Sequence, residues 1–270
     1  MIQNPPPGRC APRWSGRTRL TAFLVIAYAA SWWAWPLVLL SPTTTALVPI
    51  GPTIAAIVVT ALGGGAGELR TLLGRLVRWP VHPIWYAVAF LLPVALFGLP
   101  VVVMIGFGVS VEATGPFPWA ALPLLFAIRM IVGGPLGEEL GWRGFLLPML
   151  RRTHGPLAAS LLVGAAWAPF HLPAMLSGPV TGQRPVAQFV IWVFAASVLF
   201  TWMYERTGGS VLLVTLFHAG LNTAASLLMP LFGGGAAYGW VWWLAAATTT
   251  AAALAVWRGA HWTQQRPDPT

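Results

Sequence analysis

Long apolar runs alternate with short polar segments along almost the whole chain, and this pattern predicts membrane-spanning helices. A stretch of roughly 20 apolar residues is long enough to cross the hydrocarbon core of a bilayer. Eight such spans are predicted, covering approximately residues 20–40, 44–62, 84–107, 119–132, 157–176, 186–204, 210–229 and 238–257. The pattern therefore indicates an all-α polytopic membrane protein with about eight transmembrane helices.

Polar and helix-breaking residues punctuate this pattern at two informative places. Residues 68–78 place leucines at helical spacing opposite arginines, which predicts an amphipathic helix lying at the membrane interface. The fourth span is short and ends at Gly133-Gly134-Pro135, so a new helix is expected to begin at about Leu136 and to close near Arg151.

The composition agrees with a membrane protein and excludes a soluble globular domain. Hydrophobic residues make up 57% of the chain and charged residues only 8%, whereas soluble domains are about a quarter charged. The net charge of +9 comes entirely from arginine. With eight spans, twelve of the fifteen arginines fall in segments on the same side of the membrane. Their distribution therefore indicates the orientation of the protein in the membrane and not a nucleic-acid site. We predict a multi-pass protein of the cell membrane with both termini in the cytoplasm.

The chain divides into four predicted regions without a separate soluble domain. Its single cysteine, Cys10, excludes an internal disulfide and suits a reduced compartment. The regions are a disordered cytoplasmic tail (1–17), N-terminal transmembrane helices (18–118), a core region that the motifs and resemblance described below mark as catalytic (119–230), and a last transmembrane helix with a short cytoplasmic tail (231–270).

Two adjacent carboxylates, Glu138 and Glu139, stand in an apolar part of a chain that has only six acidic residues. If this part is helical, Glu139 and Arg143 are four residues apart and can form an ion pair. Glu138 projects about 100° away and has no cation at helical spacing. Because ionisable groups at membrane depth are costly and mark functional sites, Glu138 is the candidate reactive carboxylate. A charge pair at a helix N-terminus in the water interface is the alternative.

Three further polar side chains lie inside predicted spans. His171 is in the fifth span between two prolines, and His218 and Asn222 share one face of the seventh. Together with Glu138 they form a set that can bind and deprotonate water, with the carboxylate as base, imidazoles as ligands or donors, and the amide on an oxyanion. The carboxylate and the two imidazoles can alternatively ligate Zn²⁺, although the HExxH motif is absent. Taken singly, each residue can also be an interhelical hydrogen-bonding group.

Three short motifs follow one another through this region. The matching residues are Glu138, Glu139 and Arg143 for EExxxR, Trp167 and His171 for an aromatic residue four positions before histidine, and His218 and Asn222 for HxxxN. In this order they resemble the CPBP intramembrane proteases, which comprise the type II CAAX prenyl endopeptidases and abortive-infection-like bacterial relatives linked to lysostaphin resistance and bacteriocin immunity. The resemblance covers roughly residues 120–230, with Trp where the family commonly has Phe.

The resemblance implies an eight-helix fold around a polar intramembrane cavity. In that cavity Glu138 and His171 would activate water, while His218 and Asn222 would bind the oxyanion or complete a metal site made by Glu138, His171 and His218. Glu139, Arg143 and Trp167 would support these residues. The cofactor implied is either Zn²⁺ or none, since the family is described both as metalloproteases and as glutamate proteases.

The predicted function is that of an intramembrane peptidase hydrolysing a peptide bond of a membrane-associated protein or peptide. A non-catalytic immunity or scaffold protein of the same fold is a second hypothesis. A small transporter is a third, because broken helices with ionisable groups also mark transport sites. Against transport, the two halves of the sequence show no paired repeat.

Overall fold

The computed structural model describes residues 14–39, 47–112, 119–177, 185–233 and 235–259, and every regular element in these ranges is helical. The α-helices are α1 (Gly16–Trp32), α2 (Gly51–Gly63), α3 (Ala66–Gly74), α4 (Ile84–Gly106), α5 (Leu122–Ile131), α6 (Pro135–Glu139), α7 (Leu147–Leu150), α8 (Pro156–Phe170), α9 (Leu172–Ser177), α10 (Val186–Arg206), α11 (Val211–Leu228) and α12 (Gly235–Gly259). Short 3₁₀ helices occupy Trp35–Leu39, Trp119–Ala121 and Met229–Phe232, and a π-helix, termed here the π segment, occupies Leu140–Leu146.

Apolar helices long enough to cross a membrane confirm the prediction of an all-α polytopic membrane protein. There are six in the described ranges: Gly16–Leu37, Ile84–Gly106, Trp119–Leu150, Val186–Arg206, Val211–Phe232 and Gly235–Gly259. The other two predicted spans coincide with the apolar helices α2 and α8, which have 13 and 15 residues and are shorter than a typical crossing. Eight crossings and cytoplasmic termini stay predictions.

Two of the helix boundaries that differ from those expected have a local cause. The first helix begins at Gly16, inside the predicted tail, because the Ser15 hydroxyl caps it by accepting a hydrogen bond from the Thr18 amide at 3.1 Å. Helix α8 ends at Phe170, short of the expected boundary, because Pro173 has no amide hydrogen with which to continue the helix. The rest of the predicted N-terminal tail (1–13), with Cys10, and the end of the C-terminal tail (260–270) lie outside the described residues.

The predicted break in the fourth span is confirmed. Helix α5 ends at Ile131, and α6 starts at Pro135 after Gly134 adopts a φ of +112°, a left-handed conformation that only glycine adopts without strain. The π segment follows α6 directly, so the span has three different helical geometries in succession. Departures of this kind are common next to functional groups.

Helix α2 packs against α6 and the π segment at backbone contact distance. A β-carbon added to Gly137 would overlap the carbonyl oxygen of Pro49, and one added to Gly141 would overlap the carbonyl oxygen of Pro52. The amphipathic helix α3 leads into a loop that closes the same end of the bundle, where the Arg75 guanidinium donates to the Gly144 carbonyl. These contacts fix the position of the glutamate-bearing segment from one side.

We expect Gly141→Ala to destabilise the protein by about 1–3 kcal/mol, since its new methyl group must displace the backbone of α2. Thermal unfolding in detergent measures this as a lower midpoint. The matched control is Gly98→Ala in the middle of α4, where an added β-carbon meets nothing within 4 Å. Equal midpoints for the two variants would contradict the close-approach argument.

Candidate active site

The two glutamates of α6 are buried, with Glu138 2% and Glu139 0% exposed. Because successive helical residues project about 100° apart, the two carboxylates face different neighbours. Their partners therefore differ in charge and in origin, and the two side chains can have separate roles.

The predicted ion pair between Glu139 and Arg143 is confirmed. Nη1 of Arg143 lies 2.9 Å from Oε1 and 3.1 Å from Oε2 of Glu139, and both side chains are buried. The guanidinium carbon lies 4.3 Å from the ring centroid of Trp167 and 4.0 Å from that of Phe200. A carboxylate and two aromatic faces thus stabilise a cation that is fully removed from water.

His218 joins this pair, which the helical spacing alone did not show. Its Nδ1 lies 2.7 Å from Oε1 of Glu139, so one carboxylate bridges the imidazole of α11 and the guanidinium of Arg143. With its Nδ1–H donating to Glu139, the imidazole is fixed in one orientation. Glu139 is therefore the partner of His218 as well as of the arginine.

Glu138 is held by a neutral hydrogen-bond donor. Its Oε2 accepts a hydrogen bond of 2.6 Å from the indole Nε1 of Trp167, and no cation forms an ion pair with it in the described part of the chain. A β-carbon added to Gly134 would overlap Oε1 of Glu138. The glycine at the break thus makes room for the carboxylate, and the absence of a pairing cation agrees with the sequence prediction.

Trp167 contacts Glu138, Arg143 and both histidines of the cluster. Its ring centroid is 5.7 Å from that of His171 and 5.5 Å from that of His218, both with edge-to-face geometry. Sequence reasoning assigned this residue only a supporting role and missed its hydrogen bond to Glu138. The replacement of the family's common Phe by Trp was the available signal, since a buried indole N–H requires an acceptor.

His171 and Asn222 complete the set at its edges. His171 follows the last residue of α8 and is half-buried, with Nδ1 2.9 Å from the carbonyl oxygen of Trp167. Asn222 is also half-buried, and its Nδ2 donates at 3.0 Å to the carbonyl of Gly133, at the break before α6. The structure thus brings Glu138, His171 and His218 around one indole ring and places Asn222 beside the break.

The positions of the candidate ligands bear on whether the site could hold a metal ion. Within the described ranges, no three His, Cys, Asp or Glu side chains lie close enough together to hold a metal ion. The arrangement therefore does not fit a Zn²⁺ site made by Glu138, His171 and His218, and the metal remains a prediction from sequence.

The fold and this cluster define a polytopic membrane protein with buried carboxylate and imidazole groups in a broken span. Residues 118–224 match the family model described as type II CAAX prenyl endopeptidase Rce1-like. The chain is also 28% identical over 154 residues to CAAX prenyl protease 2 of Methanococcus maripaludis, a match that covers 52% of this chain and 55% of that protein. It thus spans about half the length of this curated relative. The resemblance to the CPBP family is confirmed over this core.

We expect Arg143→Gln to destabilise the folded protein by about 3–5 kcal/mol, because it leaves a buried carboxylate without its main counter-charge. The matched control is Arg151→Gln, which removes a half-exposed ion pair to Glu205 and should cost about 0–1 kcal/mol. Chemical or thermal unfolding in detergent compares the two. Similar losses for both variants would show that the buried pair has no special weight.

Proposed function

We propose that this protein is an intramembrane endopeptidase that hydrolyses a peptide bond of a membrane-associated protein or peptide. The family match over the core and the similarity to a CAAX prenyl protease support a protease. The catalytic assignment rests on one structural observation. The buried carboxylate of Glu138 accepts a hydrogen bond from the Trp167 indole, whereas the neighbouring Glu139 pairs with Arg143 and His218.

The two glutamates have different roles in this proposal. Glu138 forms no ion pair among the described residues, and its carboxylate is the group that would take a proton from water. Glu139 is compensated by Arg143 and His218 and is unsuited to that task. Two carboxylates in different surroundings are a common way to separate a reactive group from a structural one.

The reaction would begin with a water positioned between Glu138 and His171. Glu138 removes a proton as the water oxygen attacks the carbonyl carbon, and the carbonyl oxygen becomes the oxyanion of a tetrahedral intermediate. When the C–N bond breaks, Glu138 returns the proton to the leaving amine. The products are a new carboxylate and a new amine, and the carboxyl group of Glu138 is ready for another cycle.

His218 and Asn222 would stabilise the oxyanion. With Nδ1–H bound to Glu139, His218 can donate Nε2–H only as an imidazolium, and Glu139 supplies the counter-charge for that form. The Asn222 amide has two N–H donors and uses one on Gly133, so the second remains for substrate. Donors fixed before the charge develops are the largest contribution in many acyl-transfer enzymes.

A metal-dependent form of the reaction is the second mechanistic hypothesis. Zn²⁺ would supply Lewis-acid activation of water, but the geometry of Glu138, His171 and His218 does not group them as ligands. Elemental analysis of purified protein, with activity measured before and after chelation, separates the two forms. Stoichiometric zinc whose removal stops turnover would replace the glutamate-base form.

We expect Glu138→Gln to abolish turnover without lowering the unfolding midpoint, because the amide keeps the shape and loses the base. The measurement compares new N-termini of membrane proteins in cells carrying the original or the substituted protein, which also identifies the substrate. Glu112→Gln, at an exposed position, removes the same charge and should change nothing. Undiminished cleavage by Glu138→Gln would overturn both forms of the mechanism.

We expect His218→Ala and Asn222→Ala each to lower kcat by roughly 10²–10³-fold if both donate to an oxyanion. The substrate identified in cells is assayed with purified protein, and KM is compared with kcat. His154→Ala, at an exposed position after α7, is the matched control and should retain full activity. A change in KM alone would point to a role in substrate binding.

A further inference from the structure

Helix α1 lies outside the residues that match the family model, yet it is hydrogen-bonded to α8 beside the candidate site. The hydroxyl group of Tyr28 donates to the carbonyl of Ala166 at 2.5 Å. The indole Nε1 of Trp32 donates to the carbonyl of Phe170 at 2.9 Å. Donors four residues apart on α1 thus meet acceptors four residues apart on α8, so two hydrogen bonds one helical turn apart join these faces.

The two acceptors bracket the part of α8 that belongs to the site. Ala166 directly precedes Trp167, whose indole donates to Glu138. Phe170 directly precedes His171, and Nδ1 of His171 lies 2.9 Å from the carbonyl oxygen of Trp167. A carbonyl oxygen only accepts, so Nδ1 carries the proton of the neutral imidazole. The last turn of α8 therefore sets both the position and the tautomer of His171.

The end of α8 depends on donors from elsewhere in the protein. Phe170 is its last residue, and the carbonyls of a last helical turn lack the donors that a continuing helix supplies. Pro173 has no amide hydrogen that a tighter turn could offer to the Phe170 carbonyl. Because a carbonyl without a donor is costly in apolar surroundings, the Trp32 indole stabilises this helix end where it stands.

Helix α1 also contacts the glutamate side of the site. The buried hydroxyl of Ser31 accepts a hydrogen bond of 3.0 Å from the amide of Gly51, the first residue of α2. Helix α2 in turn meets the glutamate-bearing segment at backbone distance beside Gly137. Phe23 packs directly on the π segment, with its ring centroid 5.6 Å from that of Trp142. One helix therefore contacts both halves of the site.

We propose that α1 sets the distance between Glu138 and His171, with Tyr28 and Trp32 as positioning residues. The base and the imidazole stand on segments that are far apart in sequence, and α1 is a common support for both. This role rests on the proposed peptidase function, because it specifies the geometry that the reaction needs. A displacement of about 1 Å can lower a rate by roughly 10²-fold, so restraints on the end of α8 matter for turnover.

The first test observes the ring nitrogens of His171 and requires no turnover. Protein labelled with ¹⁵N in its histidine rings is studied by NMR in bilayer discs, and the His171 signals are those missing from His171→Gln. At a pH where the imidazole is neutral, we expect one protonated and one unprotonated nitrogen. In Tyr28→Phe the two signals should move towards each other as the tautomers mix, because the last turn of α8 has lost one restraint.

Trp32→Phe removes the other donor and should shift the same signals. The matched control is Tyr86→Phe, because the Tyr86 hydroxyl also donates to a backbone carbonyl, that of Trp79, at 2.8 Å. This control should leave the His171 signals unchanged. The His218 signals should stay unchanged in every variant, since Glu139 holds that ring. Unfolding midpoints show which variants remain folded.

The second test separates kcat from KM with the substrate identified in cells. Tyr28→Phe should lower kcat by roughly tenfold and leave KM within about twofold, because the hydroxyl is bound to a backbone carbonyl and acts through His171. Added to His171→Ala, the same change should lower kcat by less than about twofold further, since the group that it positions is already absent.

Three outcomes would overturn the inference. The first is an unchanged His171 spectrum in Tyr28→Phe and Trp32→Phe while both proteins are folded. The second is an equal loss of kcat from Tyr28→Phe with and without His171→Ala. The third is failure of both single variants to fold, which would assign the two hydrogen bonds to stability alone. Absence of turnover by the unsubstituted protein would instead contradict the proposed function, and the spectrum would still decide the positioning.

Discussion

The carboxylate of Glu139 is shared by Arg143 and His218, and the geometry of the candidate site depends on this shared charge. A buried guanidinium must be paired, and here the pair also fixes an imidazole from another helix. Trp167 of α8 lies over the same guanidinium and directs its N–H to Glu138. One charge network thus connects the broken span to α8 and α11, and Glu138 is bound to it through the Trp167 indole without an ion pair.

Three glycines allow the close packing around this network. Gly137 and Gly141 allow α2 to approach the glutamate-bearing segment at backbone distance, and Gly134 provides the space that an oxygen of Glu138 occupies. The π segment carries Arg143, which pairs with Glu139. Small residues and an irregular backbone therefore make room for the polar groups inside an apolar bundle. A membrane protein tolerates such irregular backbone only where the protein itself surrounds it.

The two arginines of the broken span have different environments. Arg143 is enclosed and compensated, whereas Arg129, at the other side of the break, has no internal counter-charge among the described residues. Between them lie Glu138 and the Gly133 carbonyl that Asn222 binds.

The sequence by itself determined the fold class, the break in the fourth span and the Glu139–Arg143 pair. These features depend on local rules, namely the length of an apolar run, the conformations open to Gly and Pro, and the four-residue spacing of a helix face. The family core was also readable from three motifs. The predicted number of membrane crossings and the catalytic roles do not follow from such local rules.

Only the tertiary structure decided which groups meet across helices. The hydrogen bond from Trp167 to Glu138 joins residues 29 positions apart, and that from His218 to Glu139 joins residues 79 apart. Helical periodicity specifies the face on which a side chain lies, and leaves open which neighbouring helix that face meets. The packing of α8 and α11 against the broken span made Glu139 the shared counter-charge and Trp167 the donor to Glu138, because each buried polar group must find its partner in the surrounding helices.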